Sequence, residues 1–164
     1  SVKYDTIFHK PETDAVITER QEINRETAKN IVNDFTNKIA IYAKDSNAES
    51  KDELLSLFAD KNAVVEVSNM SENGKENVVR RKAFQYVSLL KQATISINAG
   101  ELEFQDGSTM DRVELFVTQT FESESYSDTT EKKITLKKSS EEQGGGYLIE
   151  KIEVVPGSTK LIEK

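Results

Sequence analysis

The sequence predicts an α+β domain in which three N-terminal helices pack on a curved, mostly antiparallel sheet. The order of elements carries this prediction. Helical spacing is confined to the first 91 residues, while Gln92 to Val155 falls between turn residues into four long strands. The curvature is predicted by Gly100. Apolar alternation runs through Ile95, Ile97 and Ala99 and then changes parity to Leu102 and Phe104. A regular strand cannot do this, so an extra residue at Gly100, a β-bulge, bends the strand and keeps both halves facing the core.

Residues 1–20 hold scattered apolar side chains interrupted by Pro11 and read as an extended arm or linker; residues 21–155 form the single domain and 156–164 a C-terminal tail. Between Gln21 and Lys44, Ile23, Ala28, Ile31, Val32, Phe35, Ile39 and Tyr42 recur three and four apart, which places them on one face of a long helix. Ser50 and Glu53 have the spacing of a capping box ahead of a short helix bearing Leu54, Leu55, Leu57 and Phe58. After Asp60-Lys61-Asn62, the β-branched run Ala63–Val67 marks a short strand and Ser68–Lys75 a loop. A third helix is expected over Glu76–Lys91, with Val79, Ala83, Tyr86, Val87 and Leu90 inward.

The four long strands are Ala93–Phe104, Asp111–Glu122, Tyr126–Lys138 and Gly146–Val155. In the second, Val113, Leu115, Val117, Gln119 and Phe121 share the inner face. In the third, Ile134 and Leu136 are preceded on the same side by Tyr126, Asp128, Thr130 and Lys132. Its hairpin tip, Glu122 to Thr129, is therefore expected to project beyond the helices into water. The last strand is apolar on both faces, which suits a central or interface position, and Pro156-Gly157 stops it.

Composition narrows the function classes. The chain carries 22 basic and 29 acidic residues, a net charge of −7, which disfavours a nucleic-acid partner. Its basic groups, Arg80-Arg81-Lys82, Lys132-Lys133 and Lys137-Lys138, sit among acids and read as solvated faces. Cysteine is absent and the single histidine, His9, lies in the arm, so no metal site or cofactor is expected. No apolar run approaches the ~20 residues of a membrane span. The first residue is Ser1 rather than Met, consistent with removal of an export signal or anchor, so an exported, periplasmic or cell-surface location is expected over a cytoplasmic one. The turn Asp106–Asp111 lacks the ligand series of a calcium loop, and Gly144–Gly146 precedes a strand rather than a helix, so it is no phosphate cradle.

The element order, with Leu54–Phe58 leading through Asp60-Lys61-Asn62 into Ala63–Val67 and a closing Tyr147-x-Ile149-x-x-Ile152, resembles the nuclear-transport-factor-two-like superfamily. That superfamily includes ketosteroid isomerase and the SnoaL-like polyketide cyclases, and the resemblance spans roughly Gln21 to Val155. It implies a cone-shaped, cystatin-like roll whose sheet and helices enclose an apolar pocket, a site for a small apolar ligand. The alternative fold is a cystatin-like sheet wrapping one helix.

No motif of the family's enzymes aligns, so no catalytic residue is assigned. Four polar groups are candidates for the pocket lining: Tyr42, Glu66, Tyr86 and Gln119. Glu66 alternates with Val65 and Val67; buried beside the tyrosines it would have a raised pKa and could act as a base, with Tyr42 or Tyr86 as hydrogen-bond donor. The remaining inner face is apolar and supplies no proton-transfer machinery. The expected function is therefore non-catalytic binding of a small apolar ligand or of another protein, as part of an exported or cell-envelope bacterial assembly. An isomerase or cyclase using Glu66, and a scaffold whose cone is filled by its own side chains, are the alternatives. Phe116 and one apolar side of Tyr147–Val155 are expected on the outer face of the sheet, where a homodimer would bury them.

Overall fold

A computed structural model describes residues 25–90, 111–140 and 146–163, and the backbone of 96–104. The expected arm with His9, the residue Ile23, the Asp106-Gly107 turn and Gly144-Gly145 lie outside the described residues.

Helix α1 spans 25–44, and the predicted ridge is its buried face: Ala28, Val32, Phe35, Ile39 and Tyr42 all turn into the core. Helix α2, Ala48–Leu55, starts earlier than its sequence suggests. Its N-cap is Asn47, whose side chain accepts from the Ser50 amide at 2.9 Å while Ser50 Oγ accepts from the Asn47 amide at 3.2 Å. Ser50 is thus the third helical residue of the box rather than its cap, because an Asx side chain at the exit of α1 caps as well as a serine does. Phe35 of α1 meets Phe58 just after α2 edge to face, with ring centroids 5.7 Å apart.

The expected third helix is half strand. Residues Glu76–Lys82 form β2, which pairs antiparallel with β1, Val64–Met70, along its whole length from Met70↔Glu76 to Val64↔Lys82. Gly74 supplies the reason: at φ 80° it makes the left-handed turn between the two, and Asn-Gly is a strong hairpin signal. Once the turn forms, Val78 and Val79 satisfy their backbone in a ladder. Helix α3 is left with Ala83–Leu90, and its buried residues are Ala83, Tyr86, Val87 and Leu90. Val79, expected inward on a helix, is 40% exposed on an edge strand.

Strands β3 (Ser96–Phe104), β4 (Arg112–Glu122), β5 (Ser127–Lys138) and β6 (Tyr147–Val154) follow, and the order across the sheet is β2-β1-β6-β5-β4-β3. Only β1 and β6 run parallel, through Val64↔Lys151 and Val65↔Ile152. The predicted bulge is present: the β3–β4 register shifts between Ala99 and Leu102. A second one lies in β6. Thr135 pairs with Lys151 but Leu136 with Ile149, which leaves Glu150 unmatched. Tyr147 and Ile149 before it, and Ile152 and Val154 after it, are consequently all buried on one face. The two-sided apolar pattern of this strand is a bulge, not an outward stripe. What remains on its outer face is half-buried Leu148 beside charged residues, with Lys133–Glu153 and Lys151–Glu153 ion pairs.

The segment expected as a tail joins the sheet. Lys160–Leu161 forms β7 against β5, through Asp128↔Leu161 and Thr129↔Lys160. Glu76 holds the approach to it, accepting from the Gly157 amide at 2.8 Å and the Thr159 amide at 2.9 Å. One apolar cluster joins the three helices to β1, β4, β5 and β6, with Ile39, Leu54, Leu115, Leu136 and Ile149 among its most enclosed side chains.

Two outcomes follow from this packing. Leu115→Ala is expected to lower unfolding stability by about 2–5 kcal/mol, read from urea denaturation, since it leaves a cavity in a fully enclosed site. The Glu76 pKa is held below its ordinary 4.5 by hydrogen bonds from Thr159 and Gly157. A depressed carboxylate stabilises fully above its unfolded pKa and loses that contribution as pH falls through the folded one. Glu76→Gln should therefore lower the denaturation midpoint at pH 7, with the difference from wild type shrinking toward pH 3; a pH-independent difference would contradict the clamp.

Candidate functional site

A cavity of about 290 Å³ lies between α3 and the sheet where β1, β4 and β5 run past the core. Val67 of β1, Leu89 and Leu90 of α3 and Phe121 of β4 give it an apolar body. Its polar wall is the N-terminal half of β5. Asp128, Thr130 and Lys132 line the cavity and are each at least nine-tenths buried, at 3%, 4% and 7% exposure. They have the same parity as the core residues Ile134 and Leu136, so one strand face supplies both.

The polar groups are tied to one another. The Tyr126 hydroxyl donates to Asp128 Oδ2 at 2.5 Å and accepts from the Met70 amide at 2.9 Å. Thr159 Oγ1 donates to Ser68 Oγ at 2.9 Å, and Ser68 Oγ lies 3.2 Å from Thr130 Oγ1, so the segment before β7 backs this wall. Lys132 is set between Val117 of β4 and Val154 of β6 in the ladder, both buried. It forms no ion pair among the described residues.

Burial dominates the electrostatics. It pushes the Lys132 pKa down to about 8 against the pull of the Asp128 charge. It raises the pKa of Asp128, opposed by the Tyr126 hydrogen bond and by Lys132. Tyr126 is pushed up to about 12, by desolvation first and by Asp128 second. Tyr86 also rises to about 12 through burial, restrained by a hydrogen bond with Gln119. A base made more acidic and an acid made less so thus share one wall, an arrangement that suits proton exchange with a bound molecule.

Of the four residues proposed from sequence, the structure brings Tyr86 and Gln119 together in the cavity lining. Tyr42 is instead enclosed in the main core, 2% exposed at the end of α1. Glu66 points to the other face of β1, because Val65 and Val67 take the inner one. Its carboxylate accepts from the Val154 amide at 3.0 Å and pairs with Arg80 at 3.3 Å. Neither Tyr42 nor Glu66 lines the cavity.

Tyr126, Asp128, Lys132 and Arg81, which the sequence reading gives to water, line it together with Thr130. The hairpin tip is exposed only in its outer part, at Glu122, Glu124 and Ser125; Tyr126 meets the Met70 amide of β1, and Asp128 and Thr129 pair with β7. The signal was present in the strict alternation of β5, which gives Asp128 through Lys132 the same face as Ile134. The hollow is accordingly furnished with ionisable groups beyond the four candidates, where the sequence reading expects the remaining inner face to be apolar.

No protein-family model matches the sequence, and no curated protein matches it. Solved structures match in shape. A nuclear-transport-factor-two-like protein of unknown function from Pseudomonas aeruginosa superposes with TM-score 0.58 at 12% identity, over 84% of this chain and 99% of that one. A proposed scytalone dehydratase from Novosphingobium aromaticivorans gives 0.60 at 9% identity, over 90% and 93%. A proposed ketosteroid isomerase from Shewanella frigidimarina gives 0.52 at 16%, over 79% and 94%. At such identities the likeness speaks for architecture alone. The chain, three helices on a bulged and curved sheet that closes over a cavity, takes the nuclear-transport-factor-two-like cone fold.

Proposed function

We propose that this chain binds a small organic molecule in the cone cavity. The observation that carries the reading is the division of the cavity wall: an apolar body from Val67, Leu89, Leu90 and Phe121 faces a buried polar wall from Tyr126 to Lys132. A concave site with a few fixed polar groups orients an amphipathic ligand, the apolar part supplying affinity and the polar part the pose. The volume of about 290 Å³ limits the enclosed part of the ligand to something small. A filled scaffold does not account for a cavity left open beside Leu90 and Phe121.

A second reading adds chemistry, and one observation favours it. With a pKa of about 8, Lys132 holds an appreciable neutral fraction near pH 7.5, and a neutral amine in a cavity can take a proton from a bound molecule. The ammonium so formed stands beside the Asp128 charge, which favours it, and can return the proton at another atom of the molecule. Isomerisation or elimination on a small molecule is the reaction class this pair supports; the dehydratase and isomerase assigned to two proteins of the same fold are consistent with it.

Titration with n-octanol, followed by amide and methyl NMR, tests the binding reading. The resonances of Val67, Leu89, Leu90 and Phe121 are expected to move together and saturate; scattered surface shifts, or none, would remove it. For the second reading, NMR of the lysine side chains is expected to show one group titrating near 8 that disappears in Lys132→Met. The reaction rate would then rise with pH through that value, as the neutral amine forms. All lysines titrating near 10.5 would eliminate the amine as a base.

A further inference from the structure

Among its described lining residues the cavity carries an excess of positive charge. The chain is acidic overall, at −7, yet among those residues two cations, Lys132 and Arg81, stand against one carboxylate, Asp128. That carboxylate is engaged by the Tyr126 hydroxyl. Neither cation forms an ion pair among the described residues.

Arg81 is also short of partners. Its Nε is buried and has no hydrogen-bond partner among the described residues. A buried guanidinium N–H without an acceptor is rare in folded proteins, because it loses water and gains nothing in return. Its neighbour in sequence shows the contrast: Arg80, on the outer face of β2, is paired with Glu66.

The ladder shows how the two cations face one space. Arg81 is opposite Val65, which is beside Ile152, which is opposite Ile134; Lys132 lies one inward position before Ile134 on β5. The two side chains therefore stand on the same face of the sheet from either side of β1 and β6, about three strand spacings apart across the sheet and two residues apart along it, roughly 16 Å at the backbone. Both line the one cavity.

We propose that the ligand is an amphipathic organic acid whose carboxylate is received between Lys132 and Arg81, with its apolar part against Leu90 and Phe121. The inference rests on the cavity reading above and not on proton transfer. An anion there supplies the Arg81 guanidinium with a counter-charge and Lys132 with one beyond Asp128, and charge-assisted hydrogen bonds of this kind are among the stronger polar contacts. A cationic ligand would face two like charges instead.

The test compares three ligands with one tail and different heads: n-octanoate, n-octanol and n-octylamine, titrated into the intact chain at pH 7 with the NMR shifts of the lining residues as the readout. Octanoate is expected to bind about tenfold or more tightly than octanol, and octylamine most weakly. Lys132→Met and Arg81→Met are each expected to bring the octanoate-to-octanol ratio toward one, while Lys132→Arg keeps the preference. Octanol binding as tightly as octanoate, or a preference that survives both methionine substitutions, would sink the anion proposal while leaving the cavity as a ligand site. Binding of neither at the lining residues would sink both.

Discussion

Strand β5 cannot change face. From Asp128 to Leu136 its even-numbered side chains must all point to the inner side of the sheet, because nothing on β5 itself interrupts the period of two. In the later part of that row Ile134 and Leu136 complete the core. The earlier part faces inward across a cavity, with Tyr86, Leu89 and Leu90 of α3 on the other side, and its polar residues become the cavity wall. Core and site are consecutive stretches of one alternation, which is why the site is rigidly placed although its residues are polar.

The extra residues in β3 and β6 make that alternation usable. In β6 the apolar residues before and after the irregularity would otherwise lie on opposite faces. The unmatched Glu150 restores the inward side, and the β3–β4 register shifts in the same way between Ala99 and Leu102. The polar groups of β5 that line the cavity carry an electrostatic cost. Lys132 sits between two buried valines with its charge partly stripped of water, which lowers its proton affinity. Asp128 tolerates the same surroundings because a tyrosine hydroxyl donates to it. A core chosen for stability alone would carry apolar side chains at these positions.

The architecture was legible in the sequence where a pattern had one interpretation. Helix α1 has six of the apolar residues in register, and Gly100 gave the bulge away because glycine coincided with the parity change. The bulge at Glu150 obeys the same logic, but no glycine marks it, so the strand read as apolar on both sides. The region from Glu76 to Leu90 was ambiguous for a physical reason: Val79, Ala83, Tyr86 and Val87 fit helical spacing, while Asn73-Gly74 and two adjacent valines fit a hairpin. Only the pairing partner β1, distant from any local pattern, decides between them. The site was half legible. Tyr86 and Gln119 were polar interruptions in otherwise apolar inward rows and stood out. Asp128, Thr130 and Lys132 did not, since a run of polar residues near a hairpin tip resembles a solvated one. What buries them, the segment around Thr159 and the outer half of β1, is far away in sequence.

The same hydroxyl cluster has a bearing on how the molecule comes into being. Thr159 lies against Ser68 and Thr130, and the strand that follows it zips onto the first residues of β5. The wall facing the hollow is thus built from pieces far apart along the chain, and it is incomplete until residues as far as Ile162 have emerged and docked. A nascent polypeptide holding everything up to Val154 would own its greasy interior but not a finished wall around the hollow.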